Sequence, residues 1–491
     1  MRLKIKKLSL GAGRPVAFID DKVAKKIRVH AGERIEMLFN GSKEVAIVDV
    51  VQGLLRKDEI SLSDELMQDS KVKPGDYVEV SLSLPPRSTA YIAKKLAGQA
   101  LSREEIFAII YDIADNALTE AEVAYFVSGN YEYGMSFEET VFLTEAMWKT
   151  GKTLQWHSQE IVDKHSIGGI AGNRTTPIVV SICASLGLIM PKTSSRAITS
   201  ASGTADVIET LTKVDFSSQE LKRIVKKAGA CLAWGGALGL SPADDKLIRV
   251  ERLLNLDPES QLLASIISKK LAAGSKYVLI DIPYGKNAKV SKEQAKKLKE
   301  KFIKLCKHFN LKIKVVLTPG FEPIGNGVGP VLEMKDVLRV LKRDSPHPED
   351  LEKKSLFLAG EILELVKRAK KGKGTKMAQE ALYSGKAYKK FNEIINAQGR
   401  KQGELKLGRY SRQIKSKVSG KVIEVNNKIV NTLGRILGCP VDESAGIYLY
   451  KHTKDRVSKN ETLMTLYAES PKKLDEAISY CKENKIFTIQ E

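Results

Sequence analysis

The chain has 491 residues, which is too long for one ordinary domain and predicts about two to four. Lys and Arg number 80 against 59 Asp and Glu, and the resulting charge of +21 favours anionic partners such as nucleic acid, nucleotides or phosphate. The five scattered cysteines argue against a disulfide framework or a zinc site, and no apolar run is long enough to cross a bilayer. Because the N-terminus also has no signal-peptide core, we expect a cytoplasmic protein without a membrane partner.

Residues 1–84 are predicted to form a β-rich, barrel-like domain. Short runs of β-branched and aliphatic residues alternate with Gly, Asn and Asp turns. The predicted strands are PVAFID (15–20), KKIRV (25–29), RIEMLF (34–39), EVAIVDVV (44–51) and DYVEVSLS (76–83). The sequence LPPRS at 84–88 ends this pattern, so we place a domain boundary there.

Residues 85–154 change to a helical period and predict a small helical domain. Ser102, Thr119 and Ser136 are each followed three residues later by Glu, which is the pattern of a capping box at a helix start. Residues 245–274 are helical again and are expected to pack back onto this domain.

Residues 155–244 and 275–400 alternate between strand and helix patterns, which predicts an α/β domain with a mainly parallel sheet. The predicted strands are CLAWG (231–235), KYVLIDIPYG (276–285) and IKVVLTP (313–319). The lysine-rich run VKRAKKGKGTK (366–376) is interpreted as a mobile or solvated connection to the tail, with phosphate binding as the alternative.

The tail, residues 401–491, is predicted to be a C-terminal β-rich domain of the α+β barrel-sandwich type. The predicted strands are KVIEV (421–425), IVNTLG (429–434), AGIYLYKH (445–452) and ETLMTLYA (461–468). A closing helix is predicted at SPKKLDEAISYCKE (470–483).

The stretch DKHSIGGIAGNRTTP (163–177) has the composition of an anion-binding loop. It combines a cation, an imidazole, hydroxyls and three glycines, which let backbone N–H groups approach an anion without Cβ hindrance. Thr176-Pro177 can open a helix whose N-terminus also favours anions. The alternative is a structural glycine turn with incidental hydroxyls.

Two motif blocks carry a family resemblance. DKHSIGGIAGNRTTP followed by TSSRAITSASGTADVIE (193–209) resembles the thymidine and pyrimidine-nucleoside phosphorylases, and LLASIISKKLAAG (262–274) and EPIGNGVGPVLEMKDVL (322–338) match further family segments. The resemblance covers roughly residue 85 to the end. The additional N-terminal domain is typical of the archaeal AMP phosphorylases, the branch that the whole chain resembles most.

The resemblance implies an architecture and a phosphate site. The helical domain is expected to face the α/β domain across a cleft, giving a multidomain α/β protein. The positions that match the family's phosphate site are Lys164, Ser166, Thr175, Ser194 and Thr204. The co-substrate is inorganic phosphate, and no cofactor or metal is expected. A catalytic or substrate role is expected for His165, with a structural histidine as the alternative.

The resemblance also implies the nucleotide-binding residues. They are Gly169, Ser195, Arg196, Ala197, Ile198, Thr199, Ser200, Thr204, Ser265, Lys269 and Lys289. Where the pyrimidine enzymes have a histidine- and glycine-rich stretch, this chain has hydroxyls, and Lys289 replaces an aromatic residue. A cation and new hydroxyls favour a 5′-phosphate on the substrate. A surface lysine is the alternative for Lys289.

Base protonation is assigned to Asp257, which occupies the place of the implied proton donor in the AMP phosphorylases. An acid suits a purine, because N7 accepts a proton as adenine leaves. Asp257 precedes Pro258, so a helix N-cap is the alternative reading, and both roles are compatible.

The expected activity is phosphorolysis of AMP to adenine and ribose 1,5-bisphosphate, with CMP and UMP as further substrates, by a homodimer or higher homo-oligomer. The first alternative is a thymidine or pyrimidine-nucleoside phosphorylase. An anthranilate phosphoribosyltransferase-like enzyme is a more distant one, because its substrate needs Mg²⁺ and the sequence offers no convincing acidic pair. A basic nucleic-acid-binding protein is disfavoured by the absence of any recognition helix, RNA-binding aromatic motif or zinc module from the sequence.

Overall fold

The computed structural model describes residues 1–12, 16–70, 72–158, 160–197 and 200–491. The chain divides into two compact units. The first unit comprises Met1–Gly151 and Ser241–Ser268, and the second comprises Lys152–Leu240 and Lys269–Glu491.

The first unit begins with a β-rich region. Its elements within the described residues are β1 (Arg2–Ile5), β2 (Val16–Asp20), α1 (Asp21–Ile27), β3 (Arg34–Phe39), β4 (Ser42–Val51), β5 (Glu59–Leu62), α2 (Asp64–Asp69) and β6 (Tyr77–Ser83). The strands close into a barrel in the order β1-β5-β2-β4-β3-β6. Alternate side chains point inward, so Leu3, Ile35 and Val78 are fully buried in the barrel core.

The strand predicted at residues 25–29 is wrong, because this segment ends helix α1. Asp20 caps the helix by accepting a hydrogen bond from the backbone N–H of Lys22. Val23 and Ala24 are buried on one face, and Arg28 takes a left-handed conformation that stops the helix. The capping residue and the first buried helical positions precede residues 25–29, so those five residues alone suggested a strand.

A helical bundle follows the barrel in the first unit. Its helices are α3 (Ser88–Leu96), α4 (Arg103–Ala114), α5 (Glu120–Tyr133) and α6 (Phe137–Lys149). The predicted capping boxes at Ser102, Thr119 and Ser136 are confirmed, each with a reciprocal pair of hydrogen bonds to the Glu three residues on.

The chain then alternates strands and helices. The elements, in chain order, are β7 (Val162–Ser166), α7 (Thr175–Ser185), β8 (Met190–Ser194), α8 (Thr204–Glu209), α9 (Ser218–Ala228), β9 (Ala230–Trp234), α10 (Pro242–Leu254), α11 (Glu259–Ala272), β10 (Tyr277–Tyr284), α12 (Lys292–His308), β11 (Lys312–Pro319), β12 (Gly327–Val328), α13 (Pro330–Lys342), α14 (Glu349–Leu365), α15 (Gly374–Tyr383) and α16 (Lys386–Ala397). Helix α10 belongs to the first unit, where Ala243, Leu247 and Val250 share a buried cluster with Ile106 and Phe126 of the bundle.

Strands β7 to β11 of the α/β region pair in parallel. Strand β10 lies between β11 and β7, and β8 pairs with β9. A parallel bridge between Ile161 and Ile189 joins the two groups. The carboxyl ends of β7 and β8 therefore lie at the same edge, where parallel α/β sheets bind their ligands.

The lysine-rich run does not connect the α/β region to the tail. It lies between α14 and α15, and α15 and α16 both contribute to the α/β core. Gly374 packs so closely on α14 that a Cβ there would lie 2.1 Å from the carbonyl oxygen of Gly360. The lysines are solvent-exposed, as expected, but they border a packed helix pair.

The C-terminal region combines two sheets with two helices. Its elements are β13 (Tyr410–Lys415), β14 (Gly420–Val425), α17 (Asn427–Leu437), β15 (Gly446–Leu449), β16 (Arg456–Val457), β17 (Thr462–Ala468), α18 (Pro471–Glu483) and β18 (Phe487–Gln490). The sheet orders are β12-β15-β17-β13 and β16-β14-β18.

The strand predicted at residues 429–434 is also wrong, because this segment lies inside helix α17. The side chain of Asn426 caps the helix by accepting hydrogen bonds from the N–H groups of Lys428 and Ile429. Val430, Leu433 and Leu437 are buried at helical spacing in the C-terminal core.

Candidate active site

The anion-binding loop connects strand β7 to helix α7. Lys164, His165 and Ser166 end the strand, and helix α7 begins at Thr175, one residue before the predicted opening at Thr176-Pro177. Gly172 has a φ of 65°, and a Cβ on it would lie 2.4 Å from the carbonyl oxygen of Ile324. Only glycine fits this position, so the loop is held tightly against the 320–329 segment.

Lys164 is buried at the base of the loop. Its Nζ donates hydrogen bonds to Thr175 Oγ1 at 3.0 Å and Thr176 Oγ1 at 3.3 Å. Since both hydroxyls accept from the ammonium, their own hydrogens are available for another acceptor. Burial lowers the pKa of Lys164 from 10.5 to about 7, and nearby cations act in the same direction while Asp281 opposes them.

Two buried serine hydroxyls lie at the edge of the sheet. Ser166 Oγ and Ser194 Oγ, at the carboxyl ends of β7 and β8, are both shielded from solvent. Neither has a hydrogen-bond partner among the described residues. A buried unpaired polar group typically costs about 1–3 kcal/mol, so these hydroxyls are arranged for a ligand that accepts hydrogen bonds.

The loop lies in a strongly positive environment. Asp163 pairs with Lys192 at 3.2 Å and with Lys270 at 2.7 Å, and Lys354 lies 3.2 Å from Asp281. Although burial alone would raise the pKa of Asp163, its two lysine partners hold it below its usual range. With Lys164, four lysines of this cluster share two carboxylates. The surplus of positive charge suits a dianion such as phosphate.

His165 is uncharged at neutral pH. Burial and the surrounding lysines lower its pKa well below 6.5. Its imidazole can donate or accept a hydrogen bond but adds no charge to the site.

Arg174 is a site residue that the sequence analysis missed. Its guanidinium donates to Glu333 Oε2 at 2.7 Å, to Thr204 Oγ1 at 2.8 Å and to the carbonyl oxygen of Ser202 at 2.9 Å. Arg174 thus ties the anion-binding loop to the second motif block. Because Thr204 Oγ1 accepts from Arg174, the hydroxyl hydrogen of Thr204 is directed elsewhere.

The second motif block forms a loop that Asp206 closes. One carboxylate oxygen of Asp206 accepts from the N–H groups of Ala197 and Gly203, each at 2.7 Å. Arg196 pairs with Asp206 and Glu209, and its guanidinium lies 4.8 Å from the Trp234 ring centroid. The hydrogen bond to Glu209 raises the pKa of Arg196 further.

The other predicted residues of the second motif block include Ser195 and Ser200, which lie on either side of the undescribed residues. Ser195 is exposed beside Arg196, and Ser200 Oγ donates to the carbonyl oxygen of Ser202 at 2.6 Å. Ile198 and Thr199 lie outside the described residues. The nucleotide-binding roles of this block stay predictions.

Lys289 lies beside the anion-binding loop. It is exposed, and a Cβ on Gly169 would lie 3.1 Å from the Lys289 backbone nitrogen. Lys289 also lines an open cavity of about 470 Å³, together with Tyr284, Lys286, Lys292 and Phe321. The cavity has the cations and the space to receive a phosphate group.

The remaining predicted residues belong to α11 and the segment before it. Asp257 is exposed in the connection between α10 and α11, within the first unit. Ser265 and Lys269 are one helical turn apart on α11 and so share a face of the helix. Both are partly buried.

Two general features of the chain bear on its chemistry. Within the described ranges, no group of three or more His, Cys, Asp or Glu side chains is arranged to hold a metal ion. In the same part of the chain, no helix combines the length and apolar character needed to span a membrane.

Three family models match successive parts of the chain. Residues 158–388 match the glycosyl transferase family a/b domain, and residues 89–151 match the helical bundle domain of the same family. Residues 421–487 match the pyrimidine nucleoside phosphorylase C-terminal domain. The predicted multidomain α/β architecture, with a helical bundle and a C-terminal domain, is confirmed.

Individual relatives cover nearly the whole chain. An AMP phosphorylase of Methanococcus aeolicus is 40% identical over 484 residues, covering 98% of this chain and 96% of its own. One from Pyrococcus furiosus is 43% identical, covering 97% and 96%. A putative thymidine phosphorylase of Ralstonia nicotianae is 41% identical, covering 92% and 89%.

The fold is also similar to a solved anthranilate phosphoribosyltransferase from Thermus thermophilus, with a TM-score of 0.52 at 17% identity over 62% of this chain and 98% of that one. This likeness concerns the fold alone. Given the full-length relatives and the matched domains, the chain belongs to the AMP phosphorylase branch of the pyrimidine nucleoside phosphorylase family.

Proposed function

We propose that this enzyme catalyses phosphorolysis of nucleoside 5′-monophosphates, converting AMP and phosphate to adenine and ribose 1,5-bisphosphate. The observation that carries the proposal is the anion site at the ends of β7 and β8. There the buried Lys164 donates hydrogen bonds to two threonine hydroxyls, and the hydroxyls of Ser166 and Ser194 lie without a partner among the described residues. The full-length similarity to AMP phosphorylases supports the choice of reaction.

In the proposed reaction a phosphate oxygen attacks C1′ of the ribose, and the bond from C1′ to the base nitrogen breaks. The electron pair of that bond goes to the base, and a proton from Asp257 to N7 completes adenine. Hydroxyl donors hold the phosphate without transferring a proton to it, so it stays nucleophilic. We assign neutral His165 to hydrogen bonding with substrate.

Recognition of the 5′-phosphate is assigned to Lys289 and the loop around Ser200, with Gly169 allowing the close approach. Ser265 and Lys269 are assigned to contacts with the base. CMP and UMP are proposed as further substrates, because the phosphate contacts do not depend on the base. The product ribose 1,5-bisphosphate would feed ribulose bisphosphate formation.

The proposed organisation has a barrel-like domain at 1–84 and a helical domain at 85–154 with 245–274. An α/β domain at 155–244 and 275–400 and a sandwich-like domain at 401–491 complete it. We also propose a cytoplasmic homodimer or larger homo-oligomer that uses no cofactor. The closed strand order of the N-terminal region supports the barrel-like domain at 1–84.

A second candidate is a thymidine or pyrimidine-nucleoside phosphorylase, which the Ralstonia relative favours. The two candidates are separated by incubating the enzyme and phosphate with AMP, adenosine, CMP or thymidine and identifying the sugar product. Ribose 1,5-bisphosphate from AMP supports the nucleotide enzyme. Deoxyribose 1-phosphate from thymidine, without turnover of AMP, supports the alternative.

A further inference from the structure

Helix α17 of the C-terminal region has a second buried face that its own core does not use. Asn427, Asn431 and Gly434 are spaced by four and three residues and therefore share one side of the helix. All three are buried. Buried asparagines need hydrogen-bond partners, and here those partners belong to the loops of the candidate site.

Asn427 contacts the anion-binding loop. Its Oδ1 accepts from the backbone N–H of Ala171 at 3.2 Å, and its Nδ2 donates to the carbonyl oxygen of Gly320 at 3.4 Å. Ala171 lies between Gly169 and Gly172, in the middle of the loop.

Asn431 and Gly434 contact the second motif block. Asn431 Oδ1 accepts from the N–H of Ala201 at 3.1 Å. A Cβ on Gly434 would lie 2.7 Å from Ala201 Cβ, closer than two such atoms can approach. Ala201 separates Ser200 from Ser202, so the helix backbone sets the position of that loop.

The capping residue of the helix reaches a third loop. Asn426 Nδ2 donates to Asn287 Oδ1 at 3.4 Å, and Asn287 Nδ2 donates to Glu424 Oε1 at 2.6 Å. Asn287 precedes Lys289 by two residues. One face and one end of α17 therefore contact the three loops that carry the proposed phosphate and nucleotide contacts.

We propose that α17 is a positioning element of the active site, in which Asn427 sets the anion-binding loop and Asn431 with Gly434 sets the loop around Ser200. The kinetic part of this inference rests on the proposed phosphorolysis. A helix that only stabilised the fold would affect both substrates alike. A positioning helix affects phosphate through Asn427 and the nucleotide through Asn431 and Gly434.

Gly434→Ala in the full-length enzyme gives the sharpest kinetic test. Alanine favours the helix relative to glycine, but the buried methyl group must displace Ala201, so the thermal midpoint is expected to stay level or fall modestly. The added methyl group meets Ala201, so the KM for AMP is expected to rise about tenfold with little change in the KM for phosphate. Ala201→Gly removes the opposing methyl group, and the double variant is expected to recover most of the loss.

Arg435→Ala, on the exposed side of α17, is the matched control and is expected to keep both Michaelis constants. Either of two results would overturn the inference: a KM for AMP within twofold of wild type in Gly434→Ala, or a loss that Ala201→Gly does not reduce. An equal loss for AMP and phosphate would assign α17 to the fold alone.

Hydrogen exchange of the same proteins tests the contacts without using activity. Asn431→Leu removes the acceptor for the Ala201 N–H and is expected to raise exchange there while sparing Ala171. Asn427→Leu is expected to do the reverse. If the wild type does not consume AMP, the proposed function fails but this pattern still supports positioning, whereas unchanged exchange at both amides refutes it.

Discussion

Replacing Arg174 tests whether the two motif blocks form one site. Arg174→Met removes three donated hydrogen bonds and leaves Glu333, which is 1% exposed, without its cation. An unpaired buried carboxylate of this kind typically costs about 3–5 kcal/mol. That is a large part of a typical stability of about 5–15 kcal/mol, so a marked fall in denaturant midpoint is expected.

A second substitution separates stability from binding. Glu333→Gln removes the unpaired buried charge, and the amide oxygen can still accept the hydrogen bond from the Gly329 N–H. The double variant Arg174→Met with Glu333→Gln is therefore expected to recover most of the lost stability. It does not restore the donor to Thr204. Losing a hydrogen bond from a charged donor costs roughly 1.5–3 kcal/mol, so the KM for phosphate should stay raised by about ten- to a hundredfold.

The assay is urea unfolding combined with phosphorolysis at varied phosphate. Arg368→Ala, which breaks an exposed 2.8 Å pair with Glu160, is the matched control and should cost no more than about 1 kcal/mol. A double variant that regains both stability and the wild-type KM for phosphate would refute the role assigned to Arg174. So would a cost of less than about 1 kcal/mol in Arg174→Met alone.

Three further outcomes are expected. The pKa of Lys164 is lowered from 10.5 to about 7 in the folded protein, so Lys164 loses its charge as pH rises through about 7. The KM for phosphate should therefore rise by up to about tenfold per pH unit above that point. Lys164→Arg stays charged and should flatten this rise, and an identical profile in both proteins would show that phosphate titration alone causes it. Lys289→Ala should raise the KM for AMP by about ten- to a hundredfold and leave the KM for adenosine unchanged. Lys297→Ala is the exposed control. An equal loss of activity on both substrates would contradict recognition of the 5′-phosphate by Lys289. Asp257→Asn should lower turnover by about two to four orders of magnitude while AMP binding is kept, and a fall below about tenfold would leave Asp257 only a structural role.

Local signals in the sequence predicted local structure well. The capping partner of Ser102, Thr119 and Ser136 is in each case the Glu three residues later, so each helix start can be recognised from a few consecutive residues. The two wrong strands share one cause. Each short run overlaps a helix whose N-cap, Asp20 or Asn426, precedes the window of residues that was considered.

The parts of the site that the sequence did not reveal depend on long-range pairing. Arg174 and Glu333 are 159 residues apart, and Asp163 and Lys270 are 107 apart. No spacing rule connects such residues, since only the folded sheet and its loops bring them together. Lys164, Ser166 and Ser194 were found because they match positions with a known role in the family motif. Arg174, Glu333, Asp163 and Lys270 also lie in the quoted motif segments, but their roles depend on partners that only the fold brings near.

The proposed role of the anion site is to hold phosphate for attack on a nucleotide. Phosphorus NMR of the enzyme with AMP and inorganic phosphate, combined with chromatography of the released base, tests it directly. Ribose 1,5-bisphosphate and free adenine are expected in equal amounts, with no product when phosphate is omitted. Release of ribose 5-phosphate without added phosphate, or turnover of adenosine or thymidine but not AMP, would contradict it.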